Sequence, residues 1–178
     1  RRPYVTWSLI AFNLLVFLLE LNSSGGINGF ASRFGLIPFD MTHGIERSGF
    51  SVSRHVFPWF SHMFVHGGWV HLLGNMWFLF IFGDNVEDRL GRVRYVVLYL
   101  CGGLVAGLMQ IMTAPYDPAP MVGASGAIST VTAAYLLFFP RAYVLTLLFV
   151  VVIPLPAFIY IGLWFGMQLL SGYTSLLS

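Results

Sequence analysis

The sequence predicts an all-α, polytopic membrane helix bundle, and three observations carry that prediction. Of 178 residues, 57% are hydrophobic and 9% are charged, whereas an ordinary soluble domain is roughly a quarter charged. Mean hydropathy is +0.79. The apolar residues are gathered into runs close to the length that crosses a bilayer core, and the charges fall between the runs. The length suits one domain, residues 1–178. A net charge of +2 is too small to point to a nucleic-acid surface. Cys101 is the single cysteine, so no intrachain disulfide can form.

The first run, Thr6–Leu19, follows Arg1, Arg2 and Pro3 and is just long enough to span. Residues 20–66 are mixed in character, and a connection this long is expected to be structured or functional. Its Phe57, Trp59, Phe60, Met63 and Phe64 place part of it in the membrane interface. Gly67–Gly83 is the second span, with Trp69 and Trp77 read as anchors near its ends. The segment G-D-N-V-E-D-R-L-G-R-V-R at 83–94 reads as a charged turn, whose Asp84, Glu87, Asp88 and Arg89 cap helices or pair locally. Tyr95–Met112 is the third span, and its Gly103-x3-Gly107 reads as a close-packing stripe. The Pro-rich loop Ala114–Pro120 leads to the fourth span, Met121–Phe139, which Pro140 and Arg141 end. Pro154 and Pro156 interrupt the remainder. It reads as an apolar connector over 142–153 and a fifth span over Leu155–Leu170, with one long kinked helix as the alternative.

Lysine is absent, so the nine basic residues are all arginine. Five spans put Arg1, Arg2, Arg89, Arg92, Arg94 and Arg141 on one side, and Arg33, Arg47 and Arg54 on the other. The bias predicts a cytoplasmic N-terminus. The long loop, the start of the fourth span and Ser178 are then expected outside.

Polar groups inside such spans are expensive and are candidates for function. In V-G-A-S-G-A-I-S, residues 122–129, Gly123 and Gly126 flank Ser125. A span starting at Met121 places Ser125 four residues deep, about 6 Å. Near a helix N-terminus, free N–H groups and the helix dipole favour an alkoxide or an oxyanion. The spacing Ser125, Ser129, Ala133 equally fits a small-residue helix-packing motif. In the second span, His71 and Asn75 are one turn apart and share a face. The second and fourth spans enter from the same side, so His71 and Ser125 are expected at similar depth. Their side chains could form an oxyanion hole with a nucleophile, or an interhelical hydrogen bond. His62, His66 and His71 form H-x3-H-x4-H, but the zinc-protease pattern needs a glutamate beside the first histidine, and Met63 stands there. His62 and His66 are therefore read as structural, hydrogen-bonding the loop to the helix; no metal or cofactor is expected.

With Ser125, His71 and Asn75 assembled, the chain resembles the rhomboid intramembrane serine proteases from its first span to its fifth. The family's G-x-S-G is matched by G-A-S-G at 123–126, and its H-x3-N by H-L-L-G-N at 71–75. The spacing of S-H-M-F-V-H-G-G-W-V-H also matches, and G-D-N-V-E-D-R-L-G at 83–91 is similar to the turn after the family's second span. The resemblance implies a Ser–His dyad with Ser125 as nucleophile, and His71, Asn75 and the Ser125 N–H around the oxyanion. It implies transmembrane proteins as substrates, cut near the outer face, in a six-helix bundle set in the lipid bilayer. The family's general base is a histidine of a sixth span. That span is not in this chain, so the domain is expected to be cut short before it. A catalytically inactive relative that binds membrane helices is the alternative. Composition and compactness suit a bacterial inner membrane, and oligomeric state is left open.

Overall fold

The computed structural model describes residues 2–148 and 151–177. Arg1 and Ser178, which the charge-bias argument places on opposite sides, lie outside the described residues. The chain divides into two compact units, Arg1–Val131 and Thr132–Ser178.

The first unit opens with α1, Tyr4–Asn22. Its buried residues, Thr6, Asn13, Phe17 and Glu20, recur at helical spacing and mark one face. The long loop is helical rather than irregular. It holds α2 (Gly26–Phe34), α3 (Pro38–Ser48), α4 (Val52–His55), α5 (Pro58–Ser61) and a 3-10 turn at His62–Phe64. Pro38 and Pro58 open α3 and α5, where a missing N–H costs nothing. Two long helices follow, α6 (Trp69–Leu90) and α7 (Arg92–Thr113), and α6 packs on both α1 and α7.

The expected charged turn at 83–94 is corrected. Helix continues to Leu90 and resumes at Arg92, and Gly91 alone makes the reversal. Its φ of +78° suits glycine, and its N–H closes α6 on the Glu87 carbonyl at 2.8 Å. The expectation that the acidic residues cap helices holds for Glu87. Its buried carboxylate accepts the N–H groups of Val5 and Thr6 at 3.0 and 2.8 Å and the Thr6 hydroxyl at 2.9 Å. A side chain of α6 thus caps α1, which has no side-chain cap of its own. With α6 reaching Leu90, Trp77 lies well inside the helix rather than near an end.

Gly103 and Gly107 do allow close approach, but what they admit is loop. A Cβ on Gly103 would collide with the Met63 side chain, and one on Gly107 would touch Leu36 and His62. The helix–helix contact falls to Gly102, whose missing Cβ makes room for Thr130, and to Gly126 against Ala106.

The helix α8 covers Ser125–Phe138 and crosses the boundary between the units. It starts four residues later than the sequence reading placed it. Gly123 takes φ +116°, a conformation that cannot continue a helix.

In the second unit the expected connector is a β-hairpin. Strand β1 (Tyr143–Leu148) pairs antiparallel with β2 (Val151–Pro156), in register from Tyr143↔Pro156 to Leu148↔Val151. This excludes the single kinked helix. Pro154 and Pro156 lie in β2, which a two-stranded ribbon tolerates because each strand is an edge. Helix α9 (Ala157–Leu177) begins directly after Pro156, with the Ala157 N–H on the Ala142 carbonyl at 2.9 Å.

Among the described residues, α1 and α7 are each long and apolar enough to cross a membrane. The pair Val52–Phe64 and α6, bent by 74° at its break, meets the same measure together. The helix α8 and the stretch Ala157–Leu170 are apolar but shorter. Outside the hairpin the fold is that of an all-α, multi-pass integral membrane protein.

Candidate functional site

The site is built where the loop, the start of α6 and the start of α8 meet. Residues 114–123 are tied to the long loop by backbone. Leu36 and Met121 exchange both N–H···O bonds, at 3.0 and 2.8 Å. The Phe39 N–H reaches the Asp117 carbonyl at 3.0 Å, and the Thr42 hydroxyl reaches the Pro115 carbonyl at 2.7 Å. The Gly123 N–H then donates to the His62 carbonyl at 2.8 Å. This last bond fixes the G-A-S-G segment at its first glycine.

Gly123 is pressed against α6. A Cβ there would lie 2.5 Å from His71 Nε2, 2.6 Å from His71 Cε1 and 3.5 Å from Asn75 Nδ2. The one-turn spacing of His71 and Asn75 therefore presents both to the segment that carries Ser125. The Gly67 N–H stands 3.5 Å from His71 Nδ1, at the limit of a hydrogen bond. As an acceptor, Nδ1 leaves the ring proton on Nε2, the nitrogen facing Gly123. Asn75 is 2% exposed, and its Nδ2 is buried with no hydrogen-bond partner. A buried amide donor in that state costs free energy, and an acceptor placed against it would relieve that cost.

Ser125 is the first residue of α8 rather than a residue one turn inside it. The first intrahelical bond from this end is the Ile128 N–H on the Ala124 carbonyl at 2.9 Å. The N–H groups before it have no partner within the helix, and the positive end of the dipole lies here. The Ser125 carbonyl accepts the Ser129 hydroxyl at 2.8 Å. Gly126 packs on Ala106.

His62 and His66 are both buried. The Nδ1–H of His62 donates to the Pro58 carbonyl at 2.8 Å while its own carbonyl holds Gly123. The Nδ1–H of His66 donates to the Phe64 carbonyl at 3.2 Å. Its ring meets that of His71 edge to face, with centroids 5.2 Å apart. Glu20, which sequence reasoning assigned to the loop, is fully buried in α1. Its carboxyl oxygens accept the His66 N–H at 3.1 and 3.3 Å. The available signal was a lone carboxyl at the end of an apolar run, a costly placement that asks for a partner.

Residues 53–177 match the Rhomboid domain family. The putative rhomboid protease YdcA of Bacillus subtilis is 36% identical over 72 residues, which cover 40% of this chain and 36% of that protein. Rhomboid protease GluP of the same organism is 29% identical over 128 residues, 71% of this chain and 23% of that protein. Presenilin-associated rhomboid-like protein A of Danio rerio, a mitochondrial protein, is 36% identical over 81 residues, 44% of this chain and 21% of that protein. The matches thus span about a third or less of the length of each relative.

Proposed function

The chain belongs to the rhomboid family, and from that we propose that it is an intramembrane serine endopeptidase acting on transmembrane proteins. The observation that carries the proposal is the buried, unpartnered Asn75 Nδ2 standing with His71 Nε2 against Gly123, two residues before Ser125. In this reading the Ser125 hydroxyl attacks the scissile carbonyl and passes its proton to a general base. The oxygen, now an anion, is received by Asn75 Nδ2, His71 Nε2–H and the Ser125 N–H. Collapse expels the amine, which takes the proton from the base, and water then releases the acyl group from Ser125. The rhomboid resemblance gives the base to a histidine of a sixth helix, and none of the five histidines at 43, 55, 62, 66 and 71 is assigned that role. His62, His66, Gly123 and Gly126 hold the loop and α8 in place. A cytoplasmic N-terminus, and cleavage near the opposite face of a bacterial inner membrane, complete the proposal.

Fluorophosphonate labelling of the intact protein in its membrane, beside Ser125→Ala, tests it. Label that depends on Ser125 is expected. A folded wild-type protein that takes no label would overturn the protease reading in favour of an inactive, helix-binding relative.

A further inference from the structure

Two cavities of opposite character share a wall on the flank of the first unit. One is an apolar groove of about 260 Å³ between α1, α2 and α5, lined by Phe12, Val16, Phe30, Phe34, Phe57 and Phe60 among others. Its one polar side chain is Ser61, whose hydroxyl is engaged by the Phe34 carbonyl. The other is a polar pocket of about 330 Å³ that includes Arg33, Arg54, Asp40 and Ser53. Phe34 and Phe57 line both, with ring centroids 6.0 Å apart. Arg33 stands at this wall, its guanidinium carbon 5.3 Å from the Phe34 centroid.

We propose that this paired site binds one anionic phospholipid, with an acyl chain in the aromatic groove and the phosphate at Arg33. Two physical points select that occupant. The site is amphipathic end to end, apolar in the groove and net positive in the pocket, where two arginines face one aspartate. Its depth fits a lipid. Phe12 lies ten residues before the end of α1 at Asn22, so the groove reaches about 15 Å below that end. That is half of a hydrocarbon core of about 30 Å, the reach of one acyl chain. Held there, the lipid would brace α2 and α5 against α1, and α5 leads directly into the turn that carries His62.

Native mass spectrometry of the intact, detergent-solubilised protein, titrated with phosphatidylglycerol or phosphatidylcholine of identical chains, reads the site directly. One net positive charge at the headgroup predicts about fivefold tighter binding of phosphatidylglycerol. Arg33→Gln should abolish that preference, and Arg33→Lys should keep it. Val16→Trp should weaken both lipids by filling the groove, with thermal unfolding checked in parallel. Equal binding of the two lipids to the wild type would overturn the proposal. So would a preference that survives Arg33→Gln, or phosphatidylglycerol binding unchanged by Val16→Trp. Glycerol phosphate binding as tightly as the lipid would also overturn it, since the groove would then contribute nothing.

Discussion

Replacing Gly123 with alanine is a stringent test of the proposed site, because two separate costs can be worked from the structure. The first is conformational. Gly123 has φ +116°, and holding an L-residue in such a region costs about 1–3 kcal/mol. The second is a collision. The new methyl would stand 2.5 Å from His71 Nε2, while ordinary contact begins near 3.5 Å, so the ring must retreat by about 1 Å. His66 packs edge to face on that ring, so moving the ring disturbs that contact. A displacement of about 1 Å at a reacting centre costs about 10²-fold, and losing an oxyanion donor costs about 10²–10³-fold. Gly123→Ala should therefore lower kcat/KM for a transmembrane substrate in liposomes by about 10²–10³-fold, and lower stability by about 1–3 kcal/mol. Gly74→Ala is the matched control. It lies on α6 between His71 and Asn75, and a Cβ there meets nothing within 4 Å. It should keep activity and add about 0.5–1 kcal/mol of stability. A Gly123→Ala protein with wild-type turnover and melting temperature would refute the placement of His71 and Asn75 beside the G-A-S-G segment.

Asn75→Ala should cost about 10²–10³-fold in kcat while leaving fluorophosphonate labelling of Ser125 measurable; a total loss equal to that of Ser125→Ala would show Asn75 to be misassigned. Glu20→Ala strips both acceptors from the buried His66 N–H and should cost about 1–3 kcal/mol in chemical denaturation, with Glu20→Gln losing less because one carbonyl oxygen remains. Equal losses from the two variants would mean that the hydrogen bond to His66 is not what Glu20 supplies. Gly103→Leu should lower the melting temperature by displacing Met63, and an unchanged melt would place the 62–64 turn away from α7. A substrate helix holding glycine or proline near the cut should be cleaved faster than a uniform Leu-rich helix, because the scissile carbonyl must leave its helical hydrogen bond; equal rates would remove helix unwinding from the mechanism.

Hydropathy exposed the apolar runs because a bilayer demands long, uncharged helices whatever their packing, so α1 and α7 were legible to within a few residues at each end, and α6 at its start but not at its end, which lies seven residues past Gly83. Single-residue geometry was not. Segment 83–94 looks like a turn by charge, yet the charges ride on helix and one glycine at positive φ makes the reversal. The hairpin at 143–156 was missed because an apolar run does not distinguish strand from buried helix. Its prolines, read as helix breakers, are residues of an edge strand. For the site, the one-turn spacing of His71 and Asn75 was visible in sequence, and so was Ser125 between its glycines. The burial of Glu20 was hinted at by its place at the end of an apolar run, but its partner was not legible, because that partner is a backbone N–H 46 positions away and tertiary hydrogen bonds to backbone leave no local pattern.

The sequence left VGASGAIS divided between a packing motif and a nucleophile, and under the proposed function the two are one arrangement. Gly123, at φ +116°, ends the extended segment so that α8 can begin only two residues later. It also brings backbone against His71 and Asn75, where a side chain would collide. Gly126 lets α8 close on Ala106 of α7, and Gly102 admits Thr130 one turn further along. Ser125, between two close approaches, is thereby held at the first position of a helix, where backbone donors are free. Small residues here pack the helices, and the packing is what would bring a hydroxyl, an amide donor and an imidazole to one point. A variant that loosens α8, such as Gly126→Val against Ala106, should therefore lose labelling of Ser125 along with stability, whereas a packing motif unconnected to a nucleophile would show only the second loss.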